Sequence, residues 1–223
     1  MQESYYFRID ERQNAFDSLQ KTAEFLGKVK DDEFYWKWTM IALHNALYGS
    51  MVLALQATNP PATVKDEKKS EQIRKRKKKD PTLEIDDDYL IGFYDAYKRI
   101  QQPDPMNQNL GSKFACIIPE WEEYSKKPEY KNRISFFSPD LNTSITHLNN
   151  YIRNQFLHYY PVSISYGKGG FVEIIAQIVP LIRFLLLECG NVRIDSDEEG
   201  KSIANNLNII DDLIRDIGHT YKN

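Results

Sequence analysis

The chain has 223 residues, enough for one large domain or one domain carrying an insertion. Hydrophobic residues make up 41% and aromatics 13%, which supplies a core and excludes a disordered chain. The net charge of −3 excludes a protein that coats nucleic acid over its whole surface, so any such contact must be local.

The chain opens Met1-Gln2-Glu3-Ser4, without the basic-then-apolar pattern of a secretory leader, and none is expected. From Arg12 to Lys30 the apolar positions Ala15, Phe16, Leu19, Ala23 and Leu26 have helical spacing, with Gly27 near the end. Asp31-Asp32-Glu33 then places acid at the start of a second helix, from about Phe34 to Ala57. That helix is apolar on most faces, as a central helix would be, and stops at Thr58-Asn59-Pro60-Pro61. Its aromatics Phe34, Tyr35, Trp36 and Trp38 read as core before they read as a base-stacking platform.

Residues 60–85 read as a mobile insertion holding the basic run Arg74-Lys75-Arg76-Lys77-Lys78-Lys79. Nine basic and eight acidic side chains lie between Lys65 and Asp88, so the segment is nearly neutral and reads as a solvated surface more than a phosphate-binding patch. A third helix is predicted from about Asp86 to Gln101, with Leu90, Phe93, Tyr94 and Tyr97 as its apolar face. The prolines at 103, 105, 119 and 128 predict short helices and loops up to Pro139.

Ser138-Pro139-Asp140 starts a fourth long helix, which runs to about His158 and stops before Pro161. On a wheel of about 100° per residue, Leu141, Ile145, Leu148, Ile152, Phe156 and Tyr159 share one buried sector. His147, Asn154 and His158 share another, with Asn150 at its edge. Asn154 and His158 are one turn apart and can touch one ligand. His147 and His158 are separated by about 16 Å along a straight helix, too far to hold one metal ion. Arg153 points about 140° away from His158, so one helix would struggle to aim both at one phosphate. Two copies meeting across a two-fold axis would do so more easily, which predicts a homodimer.

After the loop 163–170, Phe171 to Cys189 is the most apolar stretch. It contains Glu173, Gln177, Pro180, Arg183 and Glu188, so it reads as a core helix kinked at Pro180 and not as a membrane span. A polar loop, 190–200, precedes a last helix from about Lys201 to Tyr221, and His219 there reads as structural. Cys116 and Cys189 are isolated, which predicts neither a disulfide nor a zinc site and fits a reducing, cytoplasmic compartment. No convincing strand run is present, so the fold class is all-α with about six helices.

The segment Arg153-Asn154-Gln155-Phe156-Leu157-His158 is the chemically pointed part of the chain. Imidazole can take the proton of an RNA 2′-hydroxyl or deliver one to the leaving oxygen. A guanidinium is always charged and stabilises the negative charge that builds on phosphate oxygens in the transition state. An asparagine amide can bond a phosphate or hold the imidazole tautomer. No metal or other cofactor is needed when the nucleophile belongs to the RNA.

Arg153-Asn154-x-x-x-His158 resembles the R-N-x-x-x-H form of the Rx4–6H motif of the HEPN superfamily. The string Tyr151 to Pro161 and the string Trp36 to Leu47 also resemble bacterial HEPN-like proteins of undefined role. The resemblance implies a single HEPN-like helical domain over 1–223, usually dimeric. It also implies a metal-independent endoribonuclease with a composite site, as in toxin–antitoxin or antiphage systems. Arg153, Asn154 and His158 take the catalytic roles by position. Tyr160 matches the Tyr of an extended Rx4–6HxY pattern, which in one toxin group is nucleotidylated by a partner acting as antitoxin.

Plainer readings stand beside these. Arg153 and His158 are also the cations that favour a helix C-terminus. His44 and Asn45 read first as a buried hydrogen-bonded pair, and otherwise as groups orienting the Arg153/His158 site. The rival to the nuclease is a non-catalytic helical module that binds a nucleotide or a protein.

Overall fold

Asp10 closes the first helix at its N-terminus. Its carboxylate accepts from the Gln13 amide, and the Gln13 side chain accepts from the Asp10 amide, so two otherwise orphaned donors are satisfied reciprocally. This helix, α1 (Glu11–Leu26), is followed by α2 (Tyr35–Gln56), α3 (Phe93–Ile100), α4 (139–157), α5 (Lys168–Glu188) and α6 (Asp197–Tyr221). A computed structural model describes residues 7–56, 72, 75–76, 78–80, 91–100, 139–158 and 165–221. Among these the chain is all-α, with six helices and no strand.

The described residues belong to two units. The first draws on Met1–Ser50, Phe137–Arg183 and Ile194–Asn223. Within it α1 packs on α6, α6 on the first part of α5, and α4 on α5. Ala15, Leu19, Ala23 and Leu26 from α1, Leu141, Ile145, Leu148 and Ile152 from α4, and Ile203, Leu207, Ile210 and Ile217 from α6 are all buried. A Cβ on Gly49 of α2 would stand 2.6 Å from the Cβ of Ala15, so glycine is what lets α1 and α2 approach so closely.

Ion pairs fasten the outside of this unit. Arg12 bonds both Asp195 and Glu199 at the start of α6. Lys30 reaches Asp216 at 2.5 Å, and Arg183 reaches Asp211 at 2.9 Å.

The second unit draws on Met51–Phe136 and Phe184–Arg193. Its described core includes Met51, Leu55, Ile91, Ala96, Tyr97, Ile100, Phe184 and Leu185. Burial pushes the Tyr97 hydroxyl pKa well above the usual phenol range.

Several elements differ from the sequence reading. The last helix begins at Asp197, one turn earlier than expected, because Ser196 accepts the Glu199 amide at 3.2 Å and three acids fill the first turn. On α3 the buried residues are Ala96, Tyr97 and Ile100, while Phe93 and Tyr94 are half-buried. Leu90 lies outside the described residues, as do most of 60–85. Of the basic run, Lys75, Arg76, Lys78 and Lys79 are described, and all are exposed.

The aromatic cluster of α2 divides. Trp36 is core at 3% exposure, but Phe34 and Trp38 are 73% and 47% exposed. Five consecutive residues, little more than one helical turn, cannot point four rings at one core, since residues i and i+2 face nearly opposite ways. On α5, Pro180 sits inside the helix, and from Phe184 the backbone changes to wider i→i+5 bonding that ends with Cys189 N–H donating to Phe184. Two helices, Tyr35–Gln56 and Lys168–Glu188, are long and apolar enough to cross a bilayer by length and composition, and the greater part of each is buried within the protein.

Candidate functional site

The motif helix is not a uniform α-helix. Pro139–Thr146 is α-helical, His147–Arg153 has wider i→i+5 bonding, and Asn154–Leu157 returns to α. The backbone leaves the helix at His158, whose φ of −102° and ψ of 127° are extended. Short π segments of this kind cluster at functional sites, because they re-aim side chains without breaking the helix. In a regular α-helix each step of four residues drifts by about 40° around the axis. The wider turn opposes that drift, so His147, Tyr151 and Gln155 stay on one face.

The core face of the helix follows the wheel up to Ile152. Leu141, Ile145, Leu148 and Ile152 are buried, and Phe156 is half-buried. The expected polar sector of His147, Asn154 and His158 does not survive the change of pitch as a single unit. His147 is exposed and lines a cleft with Tyr151 and Gln155, while Asn154 turns to Arg153.

Arg153, Asn154 and His158 lie together at the C-terminal end of α4. Arg153 Nη1 donates to the Asn154 side-chain oxygen at 2.8 Å. The His158 backbone N–H donates to the Asn154 carbonyl, also at 2.8 Å. Asn154 therefore connects the other two, with its side chain on the guanidinium and its main chain on the residue that carries the imidazole. Arg153 and Asn154 are half-buried and His158 is exposed. Tyr160 lies outside the described residues.

His44 belongs to the same neighbourhood. It is buried, at 5% exposure, and its Nε2 lies 2.9 Å from the Asn149 side-chain oxygen. Asn149 in turn donates from its amide nitrogen to the Asn150 oxygen at 3.1 Å. Burial lowers the His44 pKa below its ordinary value; the bonds to Asn149 and Asn45 work against this, and the positive charge of Arg153 adds to it. A neutral ring has one N–H, and the short contact assigns it to Nε2. Asn45 Oδ1 stands 3.4 Å from Nδ1, a longer contact than the one to Asn149.

The buried pair expected between His44 and Asn45 is not what forms: the short contact of the buried His44 is with Asn149. Asn45 itself is exposed. The signal available in the sequence was the tandem Asn149-Asn150 on a helix whose neighbours Leu148 and Ile152 are core.

Beside these groups is a cleft of about 460 Å³. It lies between the middle of α4 and the start of α5, lined on one side by His147, Tyr151, Ile152 and Gln155, and on the other by 165–167, Gly170, Phe171 and Ile174. The Tyr166 hydroxyl donates to the Gln155 side-chain oxygen, linking the two walls. Phe156, Tyr166 and Phe171 form an aromatic cluster, and Trp36 stacks on Phe171 with centroids 5.3 Å apart. None of Arg153, Asn154 and His158 lines this cleft. The described geometry therefore offers two adjoining features, a cationic helix end and an aromatic cleft on the next face.

Comparison of the chain with protein-family models, with characterised proteins and with solved structures gives no match.

Proposed function

We propose that the protein is a homodimeric endoribonuclease of HEPN type, acting in the cytoplasm on RNA through the end of α4. The observation that carries this reading is the Arg153–Asn154–His158 arrangement: a guanidinium held at 2.8 Å by an amide, and an exposed imidazole whose residue is bonded to the same asparagine. These groups suit phosphodiester transesterification. The RNA 2′-oxygen attacks phosphorus as its proton is taken, the bond from phosphorus to the 5′-oxygen breaks, and that oxygen is protonated as it leaves. His158 moves the proton, Arg153 neutralises the developing charge, and Asn154 positions both. The products are a 2′,3′-cyclic phosphate and a 5′-hydroxyl.

A dimer supports this chemistry because one imidazole cannot be base and acid at the same instant. Two helix ends facing each other would supply two. Leu157, beside His158, is 43% exposed and offers apolar surface for such a contact. The HEPN resemblance of the motif points the same way, and in the toxin version a partner protein would act on Tyr160.

RNA cleavage by purified protein in excess chelator tests the proposal. His158→Ala is expected to lower the rate by on the order of a hundred- to ten-thousand-fold. Arg153→Ala is expected to lower it by roughly a hundred- to a thousand-fold. Arg153→Lys should rescue little, since a point charge lacks the planar fork. Cleavage that persists undiminished in His158→Ala would defeat the assignment.

A second reading is a non-catalytic module that binds a nucleotide or a protein. The observation favouring it is that the cleft is lined by residues other than the motif triad. Ligand binding with no turnover under any condition would select it.

A further inference from the structure

We infer that the cleft between α4 and α5 is a nucleobase-binding site, which holds one base of the RNA while its phosphate lies toward the end of α4. The inference rests on the proposed function only for its choice of RNA as the source of the base. The cleft supplies its own physical case.

Its volume of about 460 Å³ falls in the range of small-molecule sites, roughly 300–1,000 Å³. The walls are aromatic on both sides. Tyr151 on α4 is 52% exposed, and the His147 ring meets it edge-on at 5.5 Å and 88°. Tyr166 and Phe171 face from the other side, with centroids 5.3 Å apart. The buried aliphatic side chains Ile152 and Ile174 complete the apolar lining. Polar side chains are also part of the lining: His147, Gln155 and Ser165. A flat ring with hydrogen-bonding edges fits such a lining better than a purely aliphatic ligand does.

Charge narrows the class further. Among the described residues that line the cleft there is no Lys, Arg, Asp or Glu. Lys168, at the start of α5, is bonded to Glu33 at 2.9 Å. The cleft is therefore built for the neutral part of a nucleotide, and the phosphate is left to Arg153. Along the helix, Gln155 precedes His158 by three residues, about one turn, so the cleft and the helix end adjoin.

The glycines of the α5 entrance point the same way. A Cβ added at Gly167 or at Gly170 would meet nothing within 4 Å. Packing therefore does not demand glycine at either position, and what a bare backbone does there is leave the cleft open. This provides a test that does not depend on weakening the fold. Gly170→Leu places a side chain at an open position in the first turn of a helix, where leucine has the better helix propensity.

Titration of the full-length protein with uncharged nucleosides, adenosine and uridine, followed by tryptophan fluorescence and calorimetry, examines the base site without any phosphate. Trp36 stacks on Phe171, so occupancy should alter its emission. We expect saturable binding with a Kd on the order of 1 mM or tighter. Tyr151→Ala, at an exposed position, should weaken it about tenfold. Gly170→Leu should abolish it while thermal stability is kept or raised. Arg153→Ala should leave nucleoside binding as it is while RNA cleavage is lost. Absence of binding, or binding that neither Tyr151→Ala nor Gly170→Leu alters, overturns the inference. Cleavage that depends on His158 without nucleoside binding would sink the base site alone. Nucleoside binding without cleavage would sink the nuclease alone.

Discussion

Asn154 is the residue on which the geometry at the end of α4 turns, because it touches Arg153 by its side chain and His158 by its carbonyl. Asn154→Ala should release the guanidinium and reduce RNA cleavage by at least about tenfold, the effect of losing one charge-assisted bond worth ~1.5–3 kcal/mol. A rate equal to the parent's would remove Asn154 from the site. His44 makes a separate, thermodynamic prediction. Its folded pKa lies below the ordinary 6.5 because the buried ring resists charging, so between the two values the unfolded chain binds more protons than the folded one. Its contribution to stability is thus complete above about pH 6.5 and declines as pH falls from there through the folded value. Unfolding midpoints measured from pH 7.5 down to pH 5 should fall, and the slope should flatten in His44→Gln. Asn149→Leu should cost about 1–3 kcal/mol, since it leaves the buried Nε2–H without its acceptor. The place of Arg153, Asn154 and His158 at a helix end was legible in the sequence, because the coming Pro161 limits how far the helix can run. The tie from His44 to Asn149 was not, since 105 residues separate them and nothing local announces the contact.

The helices tell a similar story. For α2 the expected start at Phe34 lies one residue before the observed Tyr35, because the acids before it mark that end, and the expected end at Ala57 lies outside the described residues. For α6 the start lies one turn before the expected Lys201, because Ser196-Asp197-Glu198-Glu199 has the serine and the glutamate of an N-terminal cap at the right spacing. Ser196→Ala should cost ~1 kcal/mol in chemical denaturation, and no loss would show that the cap is replaced by solvent. Gly49→Leu should cost more, since even a Cβ meets Ala15 at 2.6 Å and two helices must part to admit the rest. A stability equal to the parent's would contradict the close crossing. The wide turn in α4 is the largest departure from what the sequence predicts. A wheel assumes one pitch throughout, and the composition of His147–Arg153 carries no mark of another. That change of pitch places His147, Tyr151 and Gln155 along the cleft, and so the cleft was invisible from spacing alone.

The proposed nuclease requires two copies of the chain, because acid and base must act on opposite sides of one phosphate. Light scattering over a range of concentrations should therefore show a dimer, and the specific activity should fall once dilution passes its dissociation constant. A strictly monomeric protein with constant specific activity would leave His158 to work alone and would refute the composite site. The all-α class was open to reading because helical periodicity persists through every long apolar segment. The identity of the reaction is a different matter, since the same helix end could serve to bind without cutting. Mass analysis of the ends left on a defined RNA, incubated with the protein in excess chelator, decides between them most directly. Transesterification at this site leaves 2′,3′-cyclic phosphate and 5′-hydroxyl termini, expected to be lost in His158→Ala. Intact RNA, or ends bearing a 5′-phosphate and a free 3′-hydroxyl, would contradict it.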